Sequence, residues 1–155
     1  MLIESEEIRQ LNSVGSEPVG GFDMGAWDVF GRSRWSCRLL DHSITALSNP
    51  FHAMSLDWSD ATAPVPLSGA ATSCVAITSH GRLDCIVAWY TLLLDKESGA
   101  CVSTAPTAAA MRGRHWRQAV FLVPEEERRL VSPPESYAIS ASYLRDRLVF
   151  HILHS

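Results

Sequence analysis

Short runs of β-branched, aromatic and small apolar residues, each closed off by turn formers, succeed one another along most of this chain, and no long amphipathic helix lies between them. The runs are Trp35 to Leu40, Phe51 to Trp58, Thr72 to Ser79, Leu83 to Leu94, Ala100 to Thr104, Trp116 to Val123, Tyr137 to Ser142 and Arg147 to Leu153. Ser48-Asn49-Pro50, Ser79-His80-Gly81, Glu97-Ser98-Gly99 and Pro133-Pro134 stand between them as turns. Strands at this spacing predict an all-β chain, an antiparallel β-barrel or barrel-like sandwich with few or no long helices. Closure, or near closure, is the expected answer to so many strand edges.

Alternation predicts the buried faces. In the last run Leu148, Phe150 and Ile152 are expected inside, with His151 toward water. In the second, His52, Met54, Leu56 and Trp58 form the more apolar set. Cys85-Ile86-Val87-Ala88-Trp89-Tyr90 is apolar on both faces, which predicts a central strand covered on both sides. Residues 61–71 and 106–114 read as loops. Near the N-terminus, Leu2-Ile3-Glu4-Ser5 reads as a short strand and Glu6 to Leu11 as a turn of helix, before Gly15, Pro18, Gly20 and Gly21 interrupt. The expected organisation is a first strand and turn, or the tail of an upstream segment, at 1–19, and a β-barrel domain at 20–155.

The 155 residues suffice for one domain with a core. Seventeen acids against thirteen bases give a net charge of −4, and no basic patch stands out, so direct nucleic-acid binding is not expected and a charged partner should be cationic. No apolar run approaches the ~20 residues of a membrane span, and the acidic start is unlike a signal peptide. Cys37, Cys74, Cys85 and Cys101 lack paired spacing and a matching His pair, so no metal site is expected. All four lie in β-prone stretches and read as buried free thiols of a reducing compartment, cytoplasm or nucleus.

Self-sufficient catalytic machinery is not legible. GxGxxG, GxxxxGK[ST] and GxSxG are absent. Glu4, Glu6 and Glu7 read as a solvated acidic face. One segment stands out: Val102-Ser103-Thr104-Ala105-Pro106, a variable loop, then Arg114-His115-Trp116-Arg117-Gln118-Ala119-Val120-Phe121. A His-Trp pair flanked by arginines can present polar and aromatic groups at a barrel rim. Equally, Trp116 can pack in the core with His115 as an exposed loop residue.

The order of this segment resembles the C-terminal β-barrel of the protein arginine methyltransferases, whose equivalent is a Thr-His-Trp loop, then Lys-Gln and a Val-Phe strand. Gln118, Val120 and Phe121 fit, whereas Arg114 stands in place of Thr and Arg117 in place of Lys. Gly21-Phe22-Asp23-Met24 is similar to the family's dimerisation-arm segment. Ser48-Asn49-Pro50-Phe51 and Val87-Ala88-Trp89-Tyr90 resemble its next landmarks, so the likeness runs in order from Gly21 onward. The short arm-like stretch at 20–34 and Pro124-Glu125-Glu126-Glu127 are most like members carrying two modules in one chain.

The resemblance implies the substrate-binding and dimerisation barrel of an S-adenosyl-L-methionine-dependent transferase, forming one wall of the arginine channel. It implies that His115 faces an acidic partner, that Trp116 and Arg114 border the arginine, and that the protein forms a homodimer or an internal pseudo-dimer. The cofactor and the two glutamates that grip the substrate guanidinium belong to an upstream cofactor-binding domain that nothing here matches, so this stretch alone is expected to be inactive. Arginine-containing basic proteins are the implied substrates. Two alternatives are a catalytically silent second-module barrel serving as a dimerisation scaffold, and a free-standing β-barrel module for a peptide.

Overall fold

The β-prone runs become strands, and every strand pair is antiparallel. The computed structural model describes residues 1–11, 13, 34–57, 62, 66–107, 116–145 and 147–153. The strands are β1 (Leu2–Glu4), β2 (Arg34–Cys37), β3 (Thr45–Ala46), β4 (Ser68–Ala76), β5 (Gly81–Arg82), β6 (Cys85–Ala88), β7 (Thr91–Leu93), β8 (Cys101–Ser103), β9 (Gln118–Leu122), β10 (Leu130–Val131), β11 (Ser136–Leu144) and β12 (Arg147–Leu153). A single short helix, α1 (Glu6–Gln10), and 3-10 turns at Leu39–Asp41 and Glu125–Glu127 complete the regular structure among the described residues.

A five-stranded sheet has the order β2-β9-β6-β1-β3, and a three-stranded sheet the order β12-β11-β4. The bridge Ser48–Ile77, with Leu47 N–H donating to the Leu2 carbonyl and Thr78 N–H to the Leu47 carbonyl, carries backbone pairing from one sheet to the other. Among the described residues no pairing joins β2 to β12, so the result is a barrel-like sandwich rather than a closed barrel. β5 pairs with β10, and β7 with β8, as separate two-stranded ladders.

Side-chain alternation sorts the core into two layers. Between the sheets lie Leu2, Val75, Ile77, Leu83, Ile86, Ile139 and Ile152, with Phe121 of β9 meeting Phe150 of β12 edge to face at 4.8 Å between ring centres. On the outer face of the five-stranded sheet, Ile3, Cys85, Val87 and Val120 are covered by Ile8 of α1 and Leu39 of the 3-10 turn. β6 is therefore central and buried on both faces, as its composition predicts. Fully burying such an aliphatic side chain contributes about 1.5–3 kcal/mol. Five residues make no stable helix alone. Tertiary contacts hold α1: the Ser5 hydroxyl caps Ile8 N–H at 3.2 Å, and Arg9 Nη1 donates to the Val123 carbonyl at 3.1 Å.

One buried charge ties these pieces together. Asp84 is completely buried; one oxygen accepts from Ser5 N–H at 3.0 Å, and the other from Arg128 at 3.0 and 2.7 Å. Arg128 reaches Glu125 at 2.6 Å, Arg9 reaches the same carboxylate at 2.6 Å, and Arg82 pairs with Glu6 at 2.9 Å. The acidic N-terminal cluster is thus not merely a solvated face: Glu6 enters this network and Glu7 binds His42 at 2.9 Å.

Several expectations are corrected. Residues 51–57 form no strand. In the antiparallel register set by the Ser48–Ile77 bridge, His52 falls opposite Ser73, and there the Ser73 hydroxyl, not a backbone N–H, donates to the His52 carbonyl at 2.7 Å. Part of the expected loop at 61–71 is strand, because β4 begins at Ser68 to match all nine residues of β11. The run Leu83 to Leu94 splits into β6 and β7, since the Thr104 hydroxyl, not a strand backbone, accepts from Tyr90 N–H at 3.2 Å. Cys74 and Cys101 are exposed, because both lie on the solvent side of their strands, while Cys37 and Cys85 are buried. The arm-like landmark at Gly21 to Met24 and most of the expected loop at 106–114 lie outside the described residues.

Burial pushes the thiols of Cys37 and Cys85 up to about 11 and about 12. Since the thiolate is the reactive species, a maleimide at neutral pH is expected to modify two cysteines, Cys74 and Cys101, and to reach Cys37 and Cys85 only after denaturation. Mass spectrometry of the labelled peptides checks this.

Asp84→Ala is expected to cost about 1–3 kcal/mol, the penalty for leaving the buried Ser5 N–H without its acceptor, since Arg128 keeps its bonds to Glu125, read as a fall in the chemical-denaturation midpoint.

Hydrogen bonds from His42, Ser98, Arg128 and Tyr137 hold the carboxyls of Glu7, Asp95, Glu125 and Glu135 below their ordinary values. Groups with depressed folded values add stability above their unfolded values, about 4, and lose it as pH falls through the folded ones. On account of these carboxyls the thermal midpoint should decline as pH falls below about pH 4. The Met1 amine, which burial lowers to about 5, adds a loss between about pH 8 and pH 5, where the unfolded chain takes up a proton that the folded chain does not.

Candidate functional site

β6 ends where its pairing with β9 ends, at Ala88 opposite Ala119. Beyond it the chain turns out of the five-stranded sheet at Trp89 and Tyr90 and makes the β7–β8 hairpin. Asp95, whose carboxylate accepts from Glu97 N–H at 3.1 Å and Ser98 N–H at 3.0 Å, forms its turn. Gly99 follows with a positive φ of 69°, a conformation that glycine adopts without a Cβ penalty. The returning strand ends at Thr104 beside the point of departure: Thr104 N–H donates to the Tyr90 carbonyl at 3.0 Å.

The chain re-enters the described structure at Trp116, just before β9. Trp116 belongs to neither core; it is 45% exposed, and its ring lies 5.8 Å from that of Tyr90 at 50° between planes. Tyr90 is itself half exposed, and Arg117 is exposed. Two aromatic rings thus meet at one rim of the sandwich. Of the sequence-derived site residues, Trp116 stands at this rim, while Arg114 and His115 lie outside the described residues.

Beneath the rim lies a polar group that sequence reasoning quoted but gave no role. Gln118 is completely buried; its Nε2 donates to the Thr104 carbonyl at 2.7 Å and its Oε1 accepts from Leu39 N–H at 2.9 Å. Thr104, 2% exposed, is the second buried polar residue here. A buried amide with two backbone partners avoids the cost of unpaired polar groups. Only the tertiary fold brings Leu39, Tyr90 and Thr104 to Gln118, although each of the last three sits within a sequence landmark.

The other polar clusters do less. In the Asp84 network the carboxylates face arginines, leaving a structural ion cluster without a nucleophile. A shallow groove of about 340 Å³ between residues 52–55 and β4 holds His52 Nε2 at 3.0 Å from the Ser55 hydroxyl, both exposed and with no carboxylate among the residues lining it. Among the described residues no group of three or more His, Cys, Asp or Glu is arranged to hold a metal ion.

Comparison with known proteins matches this architecture. The family model described as the arginine methyltransferase oligomerization subdomain matches residues 14–147. Over 168 aligned residues the chain is 27% identical to protein arginine N-methyltransferase 9 of Xenopus laevis, an alignment covering 94% of this chain and 20% of that relative. The chain thus spans about a fifth of that relative's length. With the model matching most of its residues, the rim among them, this chain belongs to the arginine methyltransferase oligomerization subdomain family.

Proposed function

We propose that this chain is the barrel part of a protein arginine methyltransferase, forming one wall of the arginine channel and the surface through which the protein dimerises or pairs with a second module. The observation that carries the reading is Trp116, held half exposed beside Tyr90 at the rim rather than packed in either core. An aromatic face can stack on a guanidinium. His115, the preceding residue, would meet a carboxylate of the cofactor-binding domain, and Arg114 would line the approach. The net charge of −4 suits arginine-containing basic substrates. Cytoplasm or nucleus is the proposed location.

The described residues do not fit S-adenosyl-L-methionine. A nucleoside cofactor needs backbone free of side chains at a strand-to-helix turn. Of the glycines placed, Gly69 is closed off by the Tyr143 ring, Gly81 by Glu4 and Leu47, and Gly99 stands in an open hairpin turn with no helix behind it. On this reading chemistry at the methyl group belongs to a separate cofactor-binding domain. What this chain contributes is position: holding the arginine side chain and excluding water from one side of it.

In a longer chain bearing that domain, His115→Ala should lower turnover on an arginine-rich peptide by roughly 10- to 100-fold, the scale of a lost positioning contact. On this reading the thermal stability of the present chain should change by less than about 0.5 kcal/mol, the usual size of a surface substitution. Unchanged turnover with an unchanged midpoint would move the assignment to the catalytically silent dimerisation scaffold.

A further inference from the structure

We propose that Gln118 and Thr104 are positioning residues that set the geometry of the Trp116–Tyr90 rim. For its catalytic meaning this rests on the channel-wall reading above. The rim is made from two segments far apart in sequence, the exit of β6 and the entry to β9, and neither aromatic ring is fixed by burial, since both are about half exposed. What joins the segments is polar. Tyr90 is bound at both its backbone groups by Thr104, its N–H to the hydroxyl at 3.2 Å and its carbonyl to the N–H at 3.0 Å. Thr104 is bound through its carbonyl to Gln118 Nε2 at 2.7 Å. Gln118 lies two residues beyond Trp116, and its Oε1 holds Leu39 N–H at 2.9 Å, which ties the same point to the turn after β2. A chain of directional bonds therefore runs from the Tyr90 backbone to the Gln118 side chain, two residues along the chain from Trp116.

Packing alone does not call for an amide here. A buried carboxamide costs desolvation that an apolar side chain of similar length would avoid, and hydrophobic contacts tolerate sliding where hydrogen bonds to fixed backbone atoms do not. Register between the hairpin and β9 is what the amide adds. Gln118 has a donor and an acceptor facing opposite partners, and both are in use.

The test uses the 155-residue chain and reads nuclear Overhauser contacts between the Trp116 indole and the Tyr90 ring, with amide protection of β11 and β12 as the measure of folding. Gln118→Met should abolish the ring contact while β11 and β12 stay protected. Thr104→Val, which removes both hydroxyl bonds to the Tyr90 backbone, the one accepted from its N–H at 3.2 Å and the one donated to its carbonyl at 3.4 Å, should weaken it. Gln118→Glu separates positioning from mere filling of space. Protonated, its carboxyl donates to the Thr104 carbonyl and accepts from Leu39 N–H, as the amide does; ionised, it sets two acceptors against that carbonyl. Burial raises the carboxyl's pKa, so the ring contact should be present near pH 5 and lost as pH rises toward 9.

The charged and titratable neighbours are Cys37 opposite Gln118 in register, Arg117 beside it, and Arg38, Asp41 and His42 in and beside the turn that Leu39 begins. Cys37, raised to about 11, stays protonated throughout the titration, and any effect of His42 appears equally in the unsubstituted protein. If Gln118→Met does not fold, the pH titration of Gln118→Glu decides. Ring contacts that persist in Gln118→Met, or that show no pH dependence in Gln118→Glu beyond that of the unsubstituted protein, overturn the proposal. Methylation of an arginine-rich peptide by a longer chain carrying Gln118→Glu should fall at least about tenfold at pH 8, with S-adenosylmethionine affinity unchanged. Loss of the ring contact with undiminished methylation would uphold the positioning role and overturn the channel-wall reading instead.

Discussion

The fold depends on one carboxylate taken wholly out of water. Asp84 sits at the entrance to β6 and gathers three parts of the chain: the Ser5 N–H at the start of α1, Arg128 after the 3-10 turn that follows β9, and, more loosely, Arg82 of β5 at 3.4 Å. An isolated buried carboxylate would be strongly unfavourable. Here the cost is offset because the acceptor is met by a charged guanidinium in two bonds and by a backbone N–H. Such a site is unforgiving, since displacing any one segment strands the charge. That is a physical reason for the N-terminal strand, the central strand and the β9–β10 connection to keep one arrangement.

From that point order spreads through β6. It is paired on both edges and covered on both faces, with Ile86 toward the inter-sheet core and Cys85 and Val87 toward α1 and Leu39. Its exit is where burial stops. At Tyr90 the chain leaves the sheet, and the hairpin that follows is exposed along its first strand and turn. The rim therefore stands at the end of a strand paired on both edges and buried on both faces while itself facing outward, an arrangement that suits a surface required to hold a shape against a partner.

Membership of the oligomerization subdomain family accounts for a domain whose polar chemistry is structural. The ion network and the Gln118–Thr104 bonds hold segments in place, and the described residues show no self-contained catalytic group.

Sequence by itself determined the fold class, the central position of β6, the inward set Phe150 and Ile152 with His151 exposed, and the family landmarks. These follow from local periodicity and residue type, which every observer of the chain can count. Tertiary structure decided the rest. Residues 51–57 alternate like a strand, yet a serine hydroxyl takes the place of the ladder. Cys74 and Cys85 lie in equally β-prone runs, yet one faces water and the other the core, because only sheet order says which strands are covered on both sides. Tyr90, Thr104 and Gln118 were visible as letters in motifs. Their shared role was not, because hydrogen bonds between residues 14 positions apart or more are created by the antiparallel return of the hairpin and by the pairing of β6 with β9, and neither is written in any local window of the chain.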